Sequence, residues 1–166
     1  MEAELEKLST QVGAALKQAG LTLATAESCT GGWVAQVVTH TAGSSEWFDR
    51  GFVTYSNDAK RAQLGVGART LVRYGAVSAE TAVEMAAGAL EKSKAMISLA
   101  ITGIAGPSGG SPDKPVGTVC FAWCQRGQDA VVRTHHFSGA REAVRRQSVV
   151  FALEQLLDLI GARTVP

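Results

Sequence analysis

The sequence predicts an α/β fold: a three-layer α/β/α sandwich around a mixed, mostly parallel sheet. Two observations carry this. Helical and strand-like apolar patterns alternate through the first hundred residues, the order that builds parallel sheets with helices on both faces. The order then changes. Val116 to Gln125 and Ala130 to Phe137 are strand-like runs separated only by Arg126-Gly127-Gln128-Asp129. So short a link makes a hairpin, which brings antiparallel pairing into the sheet.

The elements follow in chain order. Leu5, Leu8, Val12, Ala15 and Leu16 repeat at helical spacing, and Gly20 suits a helix stop. Leu21 to Ala26 is the first strand. A turn, Ser28 to Gly32, leads into a helix from Trp33 that ends near Ala42-Gly43. Ser44 or Ser45 caps a short helical piece containing Trp47 and Phe48, and Gly51 to Tyr55 reads as the second strand. Ser56-Asn57-Asp58 is a helix start, with Lys60 in the first turn and a stop near Gly65. Arg69 to Tyr74 is a short helix closed by Gly75. Ser78 caps an Ala-rich helix, Ala79 to Lys92, with Glu80 well placed in its first turn. Ala95 to Ile101 is a buried strand. Gly103 to Pro115 holds four glycines and three of the four prolines, and must be loop. The last helix runs from about Gly139 to Ile160, with Val144, Gln147, Phe151, Leu156 and Ile160 inward and Gly161 after it.

Composition bounds the function. The 166 residues fit one domain, spanning 1–166, with enough chain to bury a core without staples. A net charge of +1 demands no nucleic-acid surface, and no apolar run reaches membrane-spanning length. The acidic, amphipathic N-terminus is unlike a signal peptide. Three cysteines, Cys29, Cys120 and Cys124, form no CxxC, and their odd number fits a reducing compartment rather than a disulfide framework. Cys120 and Cys124 fall on one face of a strand as small apolar residues. The expectation is a cytoplasmic protein with no membrane or nucleic-acid partner. No metal site is expected, because HxxxH, CxxC and ligand-spaced carboxylate clusters are all missing.

The chemistry gathers at strand ends and helix starts. Ligands of open α/β sheets bind beyond the carboxyl ends of the parallel strands. The turn Thr25-Ala26-Glu27-Ser28-Cys29-Thr30-Gly31-Gly32-Trp33 offers two hydroxyls, a thiol and backbone N–H groups at a helix start. Ser28 is either a helix cap or a nucleophile, and a nucleophilic serine needs a base. His135 and His136 lie in a strand pattern that sends them to opposite faces, and His40 sits near a helix end. Lys60 is the better base, since the positive end of a helix dipole disfavours a cation there. Tyr55, at the end of the preceding strand, is placed to relay a proton or hold the serine. Thr30, Gly31 and Gly32 offer an oxyanion hole or a phosphate cradle, and Thr102 and Gly103 open a second glycine turn after a buried strand. Arg141 and Arg145, four residues apart on the last helix, share a face that suits a phosphate clamp or simply solvent. Cys29 remains a competing nucleophile, because a helix N-terminus favours a thiolate.

These residues also carry a resemblance. The runs TAESCTGGWVAQVVT, AGSSEWFDRGFVTYSNDAK, YGAVS, ITGIAGPSGG, KPVGTV and FSGAREAVRRQ together resemble the CinA C-terminal domain family, over about Leu5 to Leu157. The resemblance implies that the stand-alone chain is a nicotinamide-nucleotide amidase. Such an enzyme converts nicotinamide mononucleotide to nicotinate mononucleotide and ammonia in pyridine nucleotide recycling, without a cofactor. It implies a serine nucleophile at Ser28, a tyrosine and lysine at Tyr55 and Lys60, and substrate or oxyanion roles for Thr102 and for one of Arg141 and Arg145. It further implies a homo-oligomer, a dimer being favoured. Longer members add an N-terminal molybdopterin-binding-like domain, for which this chain has no room. The alternative reading is a non-catalytic nucleotide-binding module built from the same glycine turns and arginines.

Overall fold

Side-chain alternation along the strands divides the molecule into layers. In the computed structural model, which describes residues 1–164 and the side chains through 161, five strands form one sheet. They are β1 (Leu23–Glu27), β2 (Phe48–Val53), β3 (Ile97–Gly103), β4 (Thr118–Gln125) and β5 (Val131–His136), in the order β2-β1-β3-β4-β5. β1 pairs parallel with β2 and β3, while β3–β4 and β4–β5 are antiparallel. Four strands therefore run one way and β4 runs against them, as the hairpin predicts.

Leu23, Ile97, Leu99, Ile101, Val119, Phe121 and Trp123 point to one face. There they meet α1 (Ala3–Ala19), α2 (Trp33–His40) and α6 (Arg141–Thr164). The other face is made of small residues: Ala24, Ala26, Ala100, Ala122, Cys120 and Cys124. It carries α5 (Ala79–Glu91), with α3 (Asn57–Leu64) and α4 (Ala68–Tyr74) outside it. Small side chains let α5 lie close to the sheet, where Ser98 donates to the carbonyl of Ala86 at 2.7 Å. The same economy sets the α3–α5 contact. A Cβ on Gly88 would fall 1.9 Å from the Leu64 carbonyl oxygen, so only glycine fits. Cys120 and Cys124 share this face as expected, and no disulfide joins any cysteines among the described residues.

Several boundaries differ from the sequence reading. The second strand is Phe48–Val53 rather than Gly51 to Tyr55. The helical piece stops at Glu46, Trp47 is buried, and Phe48 opens the strand. Pairing with β1 decides this, since Leu23 opposes Phe48 and Glu27 opposes Val53. Tyr55 thus belongs to the loop ahead of α3. The last helix does not end at Ile160. It starts at Arg141 and passes through Gly161 to Thr164, a glycine inside a helix costing only about 1 kcal/mol relative to alanine. Gln147 is not a core residue. Its amide donates to the Ser138 and Ala143 carbonyls, and Val149, Ala152 and Leu153 fill the interior instead.

Candidate functional site

Parallel strands β1 and β3 end side by side, and their carboxyl ends open on a cavity of about 250 Å³. Ser28 follows β1 directly, held by its N–H to the carbonyl of Ile101 on β3 at 3.0 Å. Lys60 comes from α3. Ser56 caps that helix by accepting from the Ala59 N–H, which fixes the first turn and aims Lys60 inward. The two residues meet: Lys60 Nζ lies 2.9 Å from Ser28 Oγ. Two further acceptors surround the amine, the Thr54 carbonyl at 2.9 Å and the Tyr55 carbonyl at 3.2 Å. Lys60 is 1% exposed, and burial lowers its pKa below the ordinary lysine value. A cation at a helix start is poorly placed, and a buried one more so. Both effects favour the neutral amine.

The carbonyl pair also orients that amine. A neutral amine has two N–H donors and one lone pair. In the structure Nζ donates to the Thr54 and Tyr55 oxygens and to Ser28 Oγ, whose own hydroxyl donates to the Tyr55 carbonyl at 3.5 Å; a neutral amine that keeps both carbonyls has its lone pair free for that hydroxyl. Tyr55 contributes here through its backbone. Its side chain is 60% exposed, and its phenol oxygen accepts from Arg141 Nη2 at 2.9 Å.

The two arginines separate. Arg141 lines the cavity and also donates through Nη1 to the Gly106 carbonyl at 2.8 Å, joining the third-strand loop to Tyr55. Arg145 is turned to the serine turn. It donates from Nε to the Cys29 carbonyl at 3.0 Å and from Nη2 to the Thr30 carbonyl at 3.2 Å, with its guanidinium over the Trp33 ring. Thr102 and Gly103 both line the cavity. The Thr102 hydroxyl, however, donates to the Ala76 carbonyl at 2.7 Å, so its proton is already committed.

The glycine turn faces inward more than the sequence suggests. Gly31 and Gly32 adopt φ of 59° and 99°, a region that favours glycine. The Gly31 N–H donates to the Ser28 carbonyl at 3.0 Å, and the Gly32 N–H faces the carboxylate of Glu27. The Thr30 hydroxyl also goes to Glu27, at 2.7 Å. Glu27 has no assigned role in the sequence reading. A signal existed: the N-cap of α2 is a glycine with no side chain to offer, so the cap must come from elsewhere. Asn57 and Ser108, also unassigned from sequence, line the cavity too. Cys29 is 5% exposed, and burial pushes its thiol up to about 12. The histidines stand apart. His135 packs on Phe137 and Phe151, while His136 lines a separate pocket on the α5 side, the opposite faces expected. Among the described residues no group of three His, Cys, Asp or Glu side chains is placed to hold a metal ion, and no helix is long and apolar enough to cross a membrane.

Fold and cavity together define an α/β domain with a buried lysine–serine pair at the carboxyl ends of parallel strands. The chain belongs to the CinA C-terminal domain family, whose sequence model matches residues 5–160, so the resemblance carried by the motifs is borne out. Among its relatives, the nicotinamide-nucleotide amidohydrolase PncC of Escherichia coli (strain K12) is 56% identical over 155 residues, 93% of this chain and 94% of that protein. A protein of the same name from Pseudomonas putida is 48% identical over 152 residues, 92% of this chain and 94% of that one. The crystal structure of the competence/damage inducible protein CihA from Agrobacterium tumefaciens superposes with a TM-score of 0.92. It has 46% identity and covers 96% of this chain and 97% of its own.

Proposed function

We propose that this chain is a nicotinamide-nucleotide amidohydrolase, which hydrolyses the carboxamide of nicotinamide mononucleotide to nicotinate mononucleotide and ammonia. The single observation that carries the chemistry is the 2.9 Å contact between Lys60 Nζ and Ser28 Oγ in the cavity. The substrate comes from the names of relatives that align over nearly the whole chain.

Neutral Lys60 takes the Ser28 proton as Oγ attacks the carboxamide carbon. The carbonyl electrons move to oxygen, giving a tetrahedral oxyanion. Its donors come from backbone N–H groups beside the cavity; those of Gly31 and Gly32 are turned to Ser28 and Glu27. The intermediate collapses, the C–N bond breaks, and nitrogen leaves as ammonia with the proton from Lys60. Water then attacks the ester, giving its proton to Lys60. Ser28 leaves as the hydroxyl, and the product is the carboxylic acid, ionised at neutral pH.

Arg141 holds the 5′-phosphate. It lines the cavity with its guanidinium fixed by two oxygens, and donors remain for a phosphate. Arg145 fixes the turn instead, through the Cys29 and Thr30 carbonyls. Arg141→Ala is therefore expected to raise KM by about 10- to 100-fold, the worth of a charged hydrogen bond, with kcat much less affected. Steady-state kinetics on nicotinamide mononucleotide checks it. An unchanged KM removes Arg141 from the phosphate site.

The reaction itself is tested by following ammonia and nicotinate mononucleotide together. One mole of each per mole of substrate is expected. Binding of the nucleotide with no ammonia released would make the domain a non-catalytic nucleotide-binding module.

A further inference from the structure

Glu27 is 1% exposed and immediately precedes Ser28. A buried carboxylate is costly unless its oxygens are fully hydrogen-bonded. Here one oxygen accepts from the Thr30 hydroxyl at 2.7 Å and the Val34 N–H at 2.8 Å, and the other accepts from the Ala35 N–H at 3.1 Å. The Gly32 N–H faces the carboxylate as well. Burial raises its pKa, while each of these donors pulls the other way.

The partners lie on both sides of the glycine pair. Val34 and Ala35 belong to the first turn of α2, and Thr30 lies inside the turn. The carboxylate sits at the end of β1, so one group ties the strand to the helix across the intervening residues. The segment from Ser28 to Gly32 is closed at both ends by the same side chain. The nucleophile sits within this closure, and its N–H is fixed to the Ile101 carbonyl.

We infer that Glu27 is a positioning residue for Ser28: its carboxylate locks the Ser28–Gly32 turn to the first turn of α2 and so sets the direction of Ser28 Oγ toward Lys60. Thr30, a candidate substrate contact from sequence, acts through Glu27 in the same lock. The inference rests on Ser28 being the nucleophile of the proposed amidase. Glu27 meets no substrate, so its loss moves the rate of the chemical step and not the affinity.

Glu27→Gln keeps the shape and exchanges one acceptor oxygen for an amide donor, which cannot serve the helix N–H groups. Kinetics on nicotinamide mononucleotide are run beside thermal melting of the full chain. The expected result is a kcat lower by about 100-fold, the effect of an ångström-scale misplacement, with KM within about threefold of wild type and the protein folded at the assay temperature. A kcat within about threefold of wild type overturns the inference, as does a loss that falls on KM instead. Thr30→Val covers the case in which Glu27→Gln does not fold. It leaves the helix cap intact and removes only the bond inside the turn. A kcat about 10-fold lower at unchanged KM supports the lock, and an unchanged kcat overturns it. Failure of the parent reading looks different. Then wild type releases no ammonia, or Ser28→Ala still releases it, whatever Glu27 does.

Discussion

Lys60→Met is expected to lower kcat by about 10²- to 10⁴-fold, the usual contribution of a general base. The side chains are close in length, so methionine fills the same buried volume while the Thr54 and Tyr55 carbonyls lose their donor; thermal melting of the variant checks that it folds. The pH dependence gives the sharper test. Burial lowers the pKa of Lys60, so the folded protein binds fewer protons than the unfolded chain between the two pKa values. Lys60 therefore adds most stability at high pH, and that contribution is lost as pH falls through the window down to its folded pKa. Lys60→Met has no such proton to bind. Relative to the variant, wild type should melt highest at alkaline pH and lose ground as pH falls. Activity follows the same group. In wild type kcat/KM should rise with pH as the neutral amine becomes populated, and the residual activity of Lys60→Met should lack that limb. A variant that keeps activity within about tenfold of wild type and the same pH profile removes Lys60 as the base.

The parts of the molecule that read clearly from sequence are those whose neighbours in space are also neighbours in pattern. The inward residues of β3 and β4 alternate, and the hairpin between β4 and β5 lies in one contiguous stretch. Spacing alone puts Cys120 and Cys124 on one face, where they lie. The bounds of β2 do not follow from its own residues, because its register is set by β1, some twenty residues earlier. An edge strand with largely exposed side chains has little apolar pattern of its own to read. At the site, the side chains were legible and their partners were not. Ser28 and Lys60 could be selected by chemistry. The Thr54 and Tyr55 carbonyls that orient the amine leave no trace in residue type, since every residue has a carbonyl. Thr102 looked like a donor toward substrate, but its partner is Ala76, 26 residues earlier in the chain. Arg141 and Arg145 share a helix face, and only the loops opposite that face tell them apart.

Ser28→Ala carries the largest expected loss, on the order of 10⁴- to 10⁶-fold in kcat, as for removal of a covalent nucleophile from an interdependent site. KM should change little, because the hydroxyl meets Lys60 and not the phosphate end of the substrate. Folding should survive as well. Lys60 keeps the Thr54 and Tyr55 carbonyls, and alanine fits a site that is 7% exposed. The neighbouring thiol offers no rescue. With burial pushing the Cys29 thiol up to about 12, it stays protonated at neutral pH. Cys29→Ser, the partner experiment, should accordingly retain activity within about threefold of wild type. The opposite pair of results, Ser28→Ala active and Cys29→Ser dead, would move the nucleophile to Cys29. That outcome would require the thiol to leave its buried position against the end of β3, because a thiol with so high a pKa cannot attack an amide at a useful rate.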